Sequence, residues 1–95
     1  MSFDTVHNYY DRLVFNEINE HYQNKSLDYQ QLEDMACIAL NRLPPRYIRF
    51  DIDMSFYLST QEQIEIQKKV EKAVRKAYKR MMKFDGMNKH HPSES

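Results

Sequence analysis

The chain predicts a mainly α fold: a small three-helix domain with one extended, strand-like segment after the second helix. Three observations carry the prediction. Apolar residues recur at three- and four-residue spacing in three separate stretches, the period of an amphipathic helix. The only glycine among the 95 residues is Gly86, so the body of the chain lacks the residue that tight turns and left-handed caps favour. Between Tyr47 and Met54, just after a double proline, the period drops from about 3.6 to 2.

The first helix is expected from about Asp4 to Tyr22. Val6, Tyr10, Leu13, Val14, Ile18 and Tyr22 share one face, while Asn8, Asp11, Glu17 and Glu20 fall largely on others. Asp4 or Ser2 is placed to cap it. Gln23 to Ser26 reads as a short polar connection. The second helix is expected to start near Asp28. Asp28 and Gln31 have capping-box spacing, and Leu27 can staple onto Leu32. Its inward residues are Leu32, Met35, Ala36, Ala39, Leu40 and Leu43. The small residues Ala36, Cys37 and Ala39 let another helix approach closely. Pro44 and Pro45 end this helix, expected at Leu43, because proline cannot continue it and restricts the residue before it.

Ile48, Phe50, Ile52 and Met54 then alternate with Arg49, Asp51, Asp53 and Ser55. This is a strand pattern with one apolar and one charged face. No second strand is legible. The segment is therefore an arm laid over helices, or it pairs with its copy in a second subunit and makes a symmetric homodimer. The last helix begins after Ser59 or Thr60, with Ser59 and Glu62 as a second capping box. Ile66, Val70, Ala73, Val74, Ala77, Tyr78 and Met81 form its stripe. Residues 1–84 are read as one domain and 85–95 as a flexible polar tail.

The net charge is zero, yet the charges are segregated. Met1 to Asp34 carries mostly acids, whereas Lys68 to Lys83 holds eight basic residues and one acid, Glu71. Such a chain can pair with itself or show its basic face to phosphate. Nucleic acid is not the expected partner, because that helix lacks interleaved exposed aromatics. Part of its charge suits the helix dipole. No signal peptide is legible, and no apolar run approaches the roughly 18 residues of a membrane span, so a cytosolic location without membrane contact is expected.

An enzyme is not expected. No nucleophile has a base at suitable spacing, and no Gly-rich phosphate loop can be written. The single Cys37 excludes an internal disulfide and a Cys-rich zinc site, and reads as a small buried hydrophobe. His7 and His21 lie about four turns apart on the expected helix, and His90 and His91 sit in the tail, so no metal site is expected. Asp51 and Asp53 read as a solvated charged face.

Binding is a better reading than catalysis. Arg42, Arg46 and Arg49 cluster around the prolines with Tyr47, Asp51 and Asp53 nearby. Guanidinium groups grip phosphate in bidentate fashion and stack on purines, carboxylates accept from the guanine edge, and tyrosine stacks on bases. On the residues alone, however, a salt-bridged hinge, Arg49 with Asp51 or Asp53 of a neighbour, is favoured over a ligand site.

Ala39-Leu40-Asn41-Arg42-Leu43-Pro44-Pro45-Arg46-Tyr47 resembles the late competence development ComFB family. Asn8-Tyr9-Tyr10-Asp11-Arg12-Leu13-Val14 resembles that family's Asn-Val-Met-Glu-x-Leu-Val opening, with Tyr9 and Tyr10 in place of Val and Met. Asp51-Ile52-Asp53-Met54-Ser55-Phe56-Tyr57-Leu58 resembles its proteobacterial version. The similarity runs from about Val6 to Leu58. The resemblance implies a small cytosolic homodimer with a regulatory role, a receptor for cyclic di-GMP linked to motility, competence or cell size, acting on an unidentified downstream protein. It needs no cofactor beyond that ligand. It implies ligand contacts at Asn8, Asn41, Arg42, Pro44, Pro45, Arg46 and Tyr47; Arg49, Asp51 and Asp53 are added on chemical grounds. Some relatives hold zinc through several cysteines, a feature that a chain with Cys37 alone cannot share.

Overall fold

The computed structural model describes residues 6–49 and 58–89, with side chains described as far as Phe84. Strand β1 (Val6–Asn8) leads into helix α1 (Tyr9–His21). A short 3-10 turn at Gln23–Lys25 precedes helix α2 (Tyr29–Asn41). Strand β2 (Tyr47–Arg49) follows the prolines, and the long helix α3 (Thr60–Lys89) closes the order. The expected class is thus the observed one, three helices and a short extended segment.

Helix α3 packs on both α1 and α2, which also pack on each other. The seam contains Tyr10, Val14 and Ile18 of α1, Met35, Ala36 and Ala39 of α2, and Ile66, Val70, Ala73, Val74, Ala77 and Met81 of α3, all buried. Leu43 and Leu58 complete it. Alanines on α2 and α3 keep the side-chain ridges low, so the two backbones approach closely. At the far end Tyr22 meets Tyr78 with ring centroids 5.3 Å apart, and the Lys25 ammonium sits 5.8 Å from the Tyr78 centroid.

Both expected capping boxes form. The Asp28 carboxylate accepts from the Gln31 backbone N–H at 2.8 Å, and the Gln31 side chain accepts from the Asp28 N–H at 2.9 Å. The Ser59 hydroxyl accepts from the Glu62 N–H at 3.1 Å, and the Glu62 carboxylate accepts from the Ser59 N–H at 3.1 Å. The Glu62 carboxyl is held below its ordinary value, chiefly by these bonds to Ser59 and further by the charge of Arg46.

Several expectations are corrected. Helix α1 starts at Tyr9 rather than Asp4, and its cap is Asn8; Ser2 and Asp4 lie outside the described residues. Val6 is therefore not on a helical face but in a strand, 43% exposed. That strand supplies the pairing partner the sequence does not reveal. Val6, His7 and Asn8 face Arg49, Ile48 and Tyr47 in an antiparallel ladder, so β2 is paired within the chain. The argument for a dimer from an unpaired strand loses its premise. The rest of the expected strand, from Phe50 to Met54, lies outside the described residues.

Cys37 is exposed, not buried. It follows Ala36 by one position, about 100° around the helix, which turns it off the Met35–Ala36–Ala39 stripe. Glu17 errs the other way. It is only 7% exposed, on the same side of α1 as Val14 and Ile18, where a carboxylate was expected to face water. Its Oε1 accepts from the Gln67 side-chain amide of α3 at 3.3 Å, and His21 lies 3.8 Å away.

Helix boundaries shift by smaller amounts. Helix α2 ends at Asn41 and is capped by Arg42, whose N–H donates to the Ala39 carbonyl at 3.1 Å, while the N–H of the following Leu43 donates to the Leu40 carbonyl at 3.2 Å. The α3 backbone stays helical through Gly86 to Lys89, past the point where the polar tail was expected to begin; residues 90–95 lie outside the described residues. One interior glycine costs a helix only about 1 kcal/mol relative to alanine. The left-handed position before α2 falls to Ser26, at φ 58° and ψ 39°.

Candidate functional site

The site grows from the double proline. Proline fixes the backbone direction but supplies no N–H, so the chain after Pro45 needs an outside anchor. Asn8 provides one. Its Oδ1 accepts from the Tyr10 N–H at 3.3 Å, capping α1, and from the Arg46 N–H at 2.9 Å. The Tyr9 N–H in turn donates to the Arg46 carbonyl at 2.6 Å. Both backbone polar groups of Arg46 are thus tied to the start of α1, and Asn8 then pairs with Tyr47 across the ladder. Sequence elements far apart in the chain meet here for a definite reason: Asn8 has one oxygen with two acceptor sites, and both are used.

This pin presents the neighbouring side chains. Tyr47 is 68% exposed on a fixed backbone. Arg46 just before it and Arg49 two positions after it are also exposed, and Ile48 is half-buried against the core. Arg46 is close enough to the start of α3 for its charge to act on Glu62.

Arg42 and Pro44 go elsewhere. Together with Leu43 they form one wall of an open cleft of about 280 Å³, whose other wall is Lys69, Lys72, Ala73 and Lys76 of α3. The Lys76 ammonium is held below its ordinary value, first by Lys72 and then by Arg42, with burial and Arg75 adding smaller effects. Like charges therefore crowd at this edge of the molecule.

Of the expected site residues, Asn8, Arg46 and Tyr47 are brought together, and Arg49 lies on the same strand as Tyr47. Arg42 and Pro44 line the lysine cleft. Asn41 ends α2 and Pro45 follows Pro44, both exposed. Asp51 and Asp53 lie outside the described residues. Asn8 differs from the expectation in kind, because its acceptor oxygen is engaged in holding the fold. The sequence reading missed Lys69, Lys72 and Lys76 as site residues. Their signal was present as basic residues at i, i+3 and i+7 flanking Ala73, the spacing of one helix face.

A second cavity of about 610 Å³ opens where α2 meets the late part of α3, lined by Asp34, Cys37, Ile38, Arg80, Met81, Lys83 and Phe84. Among the described residues no three His, Cys, Asp or Glu side chains gather to hold a metal ion, and no helix is long and apolar enough to cross a membrane.

The fold defines a small helical protein with a pinned turn after the double proline and an open basic cleft beside it. The family model for late competence development protein ComFB matches residues 7–84, and the chain belongs to that family. No curated protein and no solved structure gives a significant match.

Proposed function

We propose that this chain is a non-enzymatic cytosolic regulator that binds cyclic di-GMP through the Arg-rich segment after Leu43-Pro44-Pro45 and works as a homodimer. The observation that carries the reading is the pin at Arg46. It fixes the backbone at Arg46, with exposed Tyr47 next to it and exposed Arg49 two positions further on the same strand. Preorganised aromatic and guanidinium groups are what a purine nucleotide with phosphates requires. The family's link to late competence development gives the regulatory context.

A second reading is a protein-interaction module without a nucleotide site. The exposure of Phe84 (61%) in the lining of the larger cavity favours it. Calorimetric titration with cyclic di-GMP, with GTP and cyclic di-AMP as controls, separates the two. Saturable binding of cyclic di-GMP alone, lost in Tyr47→Ala and Arg46→Ala variants that keep wild-type helicity, supports the receptor. Absence of heat and of any thermal shift at excess ligand favours the interaction module.

A further inference from the structure

We infer that the cleft between the end of α2 and the middle of α3 is an anion subsite, in which Lys69, Lys72 and Lys76 act with Arg42 on a phosphate, diphosphate or phosphodiester group of a small ligand. The inference shares Arg42 and Pro44 with the nucleotide reading above and extends it to the phosphate side, but rests on different observations and stands if guanine recognition fails.

The first observation is shape. Two walls face each other across the open cleft, one from the Arg42–Pro44 segment just after α2 and one from α3, with buried Leu43 and Ala73 in its lining and exposed cationic side chains around them. Its volume of about 280 Å³ lies at the lower edge of small-ligand sites, enough for a phosphate or diphosphate but not for a large ligand in full. The second is charge. Four of the seven lining residues are cations and none is an acid. The α2 C-terminus adjoins the cleft at its cap, Arg42, but a helix end carries only about half a negative charge and leaves most of the positive charge uncompensated. The depressed proton affinity of Lys76 has that cause. The third is spacing. Residues 69, 72 and 76 fall on one face of α3, so their flexible ammonium groups can converge on one anion without backbone movement. An anion here makes charge-assisted hydrogen bonds and relieves the repulsion among its own ligands.

The test uses the full chain and sodium pyrophosphate at constant ionic strength, followed by the backbone amide resonance of Ala73. A saturable shift is expected. Lys72→Gln and Lys76→Gln together should weaken it by about ten-fold or more, as the loss of two charged hydrogen-bond donors implies. Lys83→Gln, on the same helix but at the other cavity, should leave it within about two-fold. The doubly substituted chain should melt at the wild-type temperature or above, because like charges have been removed from exposed positions; weaker binding without lost stability excludes misfolding as the cause.

No saturable shift of Ala73, an unchanged affinity in the double variant, or an equal loss in Lys83→Gln would each overturn the inference. So would binding of a DNA duplex that depends on Lys68, Arg75 and Lys79 as strongly as on the cleft, since that describes a diffuse basic face. A chain that binds pyrophosphate through these lysines but gives no heat with cyclic di-GMP would refute the nucleotide reading and keep the anion subsite.

Discussion

Replacing Asn8 by alanine removes a single oxygen that serves two backbone donors, and the cost can be worked from the two bonds. The Tyr10 bond is long, at 3.3 Å, so it belongs in the lower half of the ~0.5–2 kcal/mol that a side-chain N-cap contributes. The Arg46 bond has good length, 2.9 Å, but is exposed to water, which places it no higher than the middle of the ~0.5–1.5 kcal/mol of an ordinary hydrogen bond. The expected loss is about 1.5 kcal/mol, or roughly 6–12 °C in melting temperature for a domain this small. Two further variants separate the bonds. Aspartate keeps an oxygen at the same reach and places a negative charge at a helix N-terminus, so Asn8→Asp should stay within about 0.5 kcal/mol of wild type. Serine caps well but is too short to span to Arg46, so Asn8→Ser should lose only the tether. The assay is urea unfolding followed by helical circular dichroism, with hydrogen exchange of the Arg46 amide as the local readout. If alanine and serine cost the same, or if the Arg46 amide is equally protected in all four chains, the pin is not what holds the turn after the prolines.

Three other substitutions probe different parts of the fold. Met35 is fully buried between helices, and Met35→Ala should cost about 2–5 kcal/mol in urea unfolding, most of a small domain's stability. Ser26→Gly relieves a left-handed non-glycine residue and should stabilise by about 0.5–1 kcal/mol; destabilisation would mean that the serine is favoured by contacts outweighing its backbone strain. Burial, with Glu71 and Glu20 adding, raises the Glu17 carboxyl above its ordinary value of 4.5 against the opposing pull of His21 and the Gln67 bond. A folded carboxyl with a raised value binds more protons than the unfolded one, so its contribution is full below about 4.5 and is lost as the pH rises through the folded value. Glu17→Gln should therefore be more stable than wild type at pH 7, with a gap that narrows as the pH falls through the raised folded value and has closed below about 4.5; a gap that widens on acidification would reverse the assignment.

Much of the fold was legible because periodicity and capping are local. The stripe from Ile66 to Met81 and both capping boxes are written within a few residues of where they act, and the structure uses them as read. What was not legible depends on contacts between distant positions. Asn8 looks like one polar residue on a long amphipathic pattern, and Val6 continues that pattern, so nothing local says that the helix starts at Tyr9. The decision is made by Arg46, whose backbone, 38 positions after Asn8, needs partners that the Tyr9 N–H and the Asn8 side chain provide. The burial of Glu17 was hidden for the same reason, since its Gln67 partner lies 50 positions away. Cys37 was misplaced because three small residues in a row of four looked equivalent, and only the α3 seam shows which of them face inward. The lysines of the cleft were visible as charge but not as a site, because Arg42 becomes their neighbour only when α2 packs on α3.

The architecture also separates two tasks that the sequence places side by side. Arg42 and Arg46 flank the same Leu-Pro-Pro, yet Arg42 belongs to the α2–α3 cleft and Arg46 to the α1 pin. The prolines make that divergence rigid. A ligand gripping both would join all three helices, and because it binds only the folded chain it would stabilise the fold by about 2.7 kcal/mol at a hundred times its dissociation constant. The two halves can then be weakened independently. Asn8→Ser loosens the backbone beneath Arg46 and Tyr47 but touches no residue of the cleft. Under the proposed reading such a chain binds pyrophosphate like wild type and cyclic di-GMP more weakly, since ordering the post-proline segment now draws on binding energy. Equal weakening of both ligands would show that the pin and the cleft form one cooperative unit, and that the divergence of the two arginines has no functional meaning.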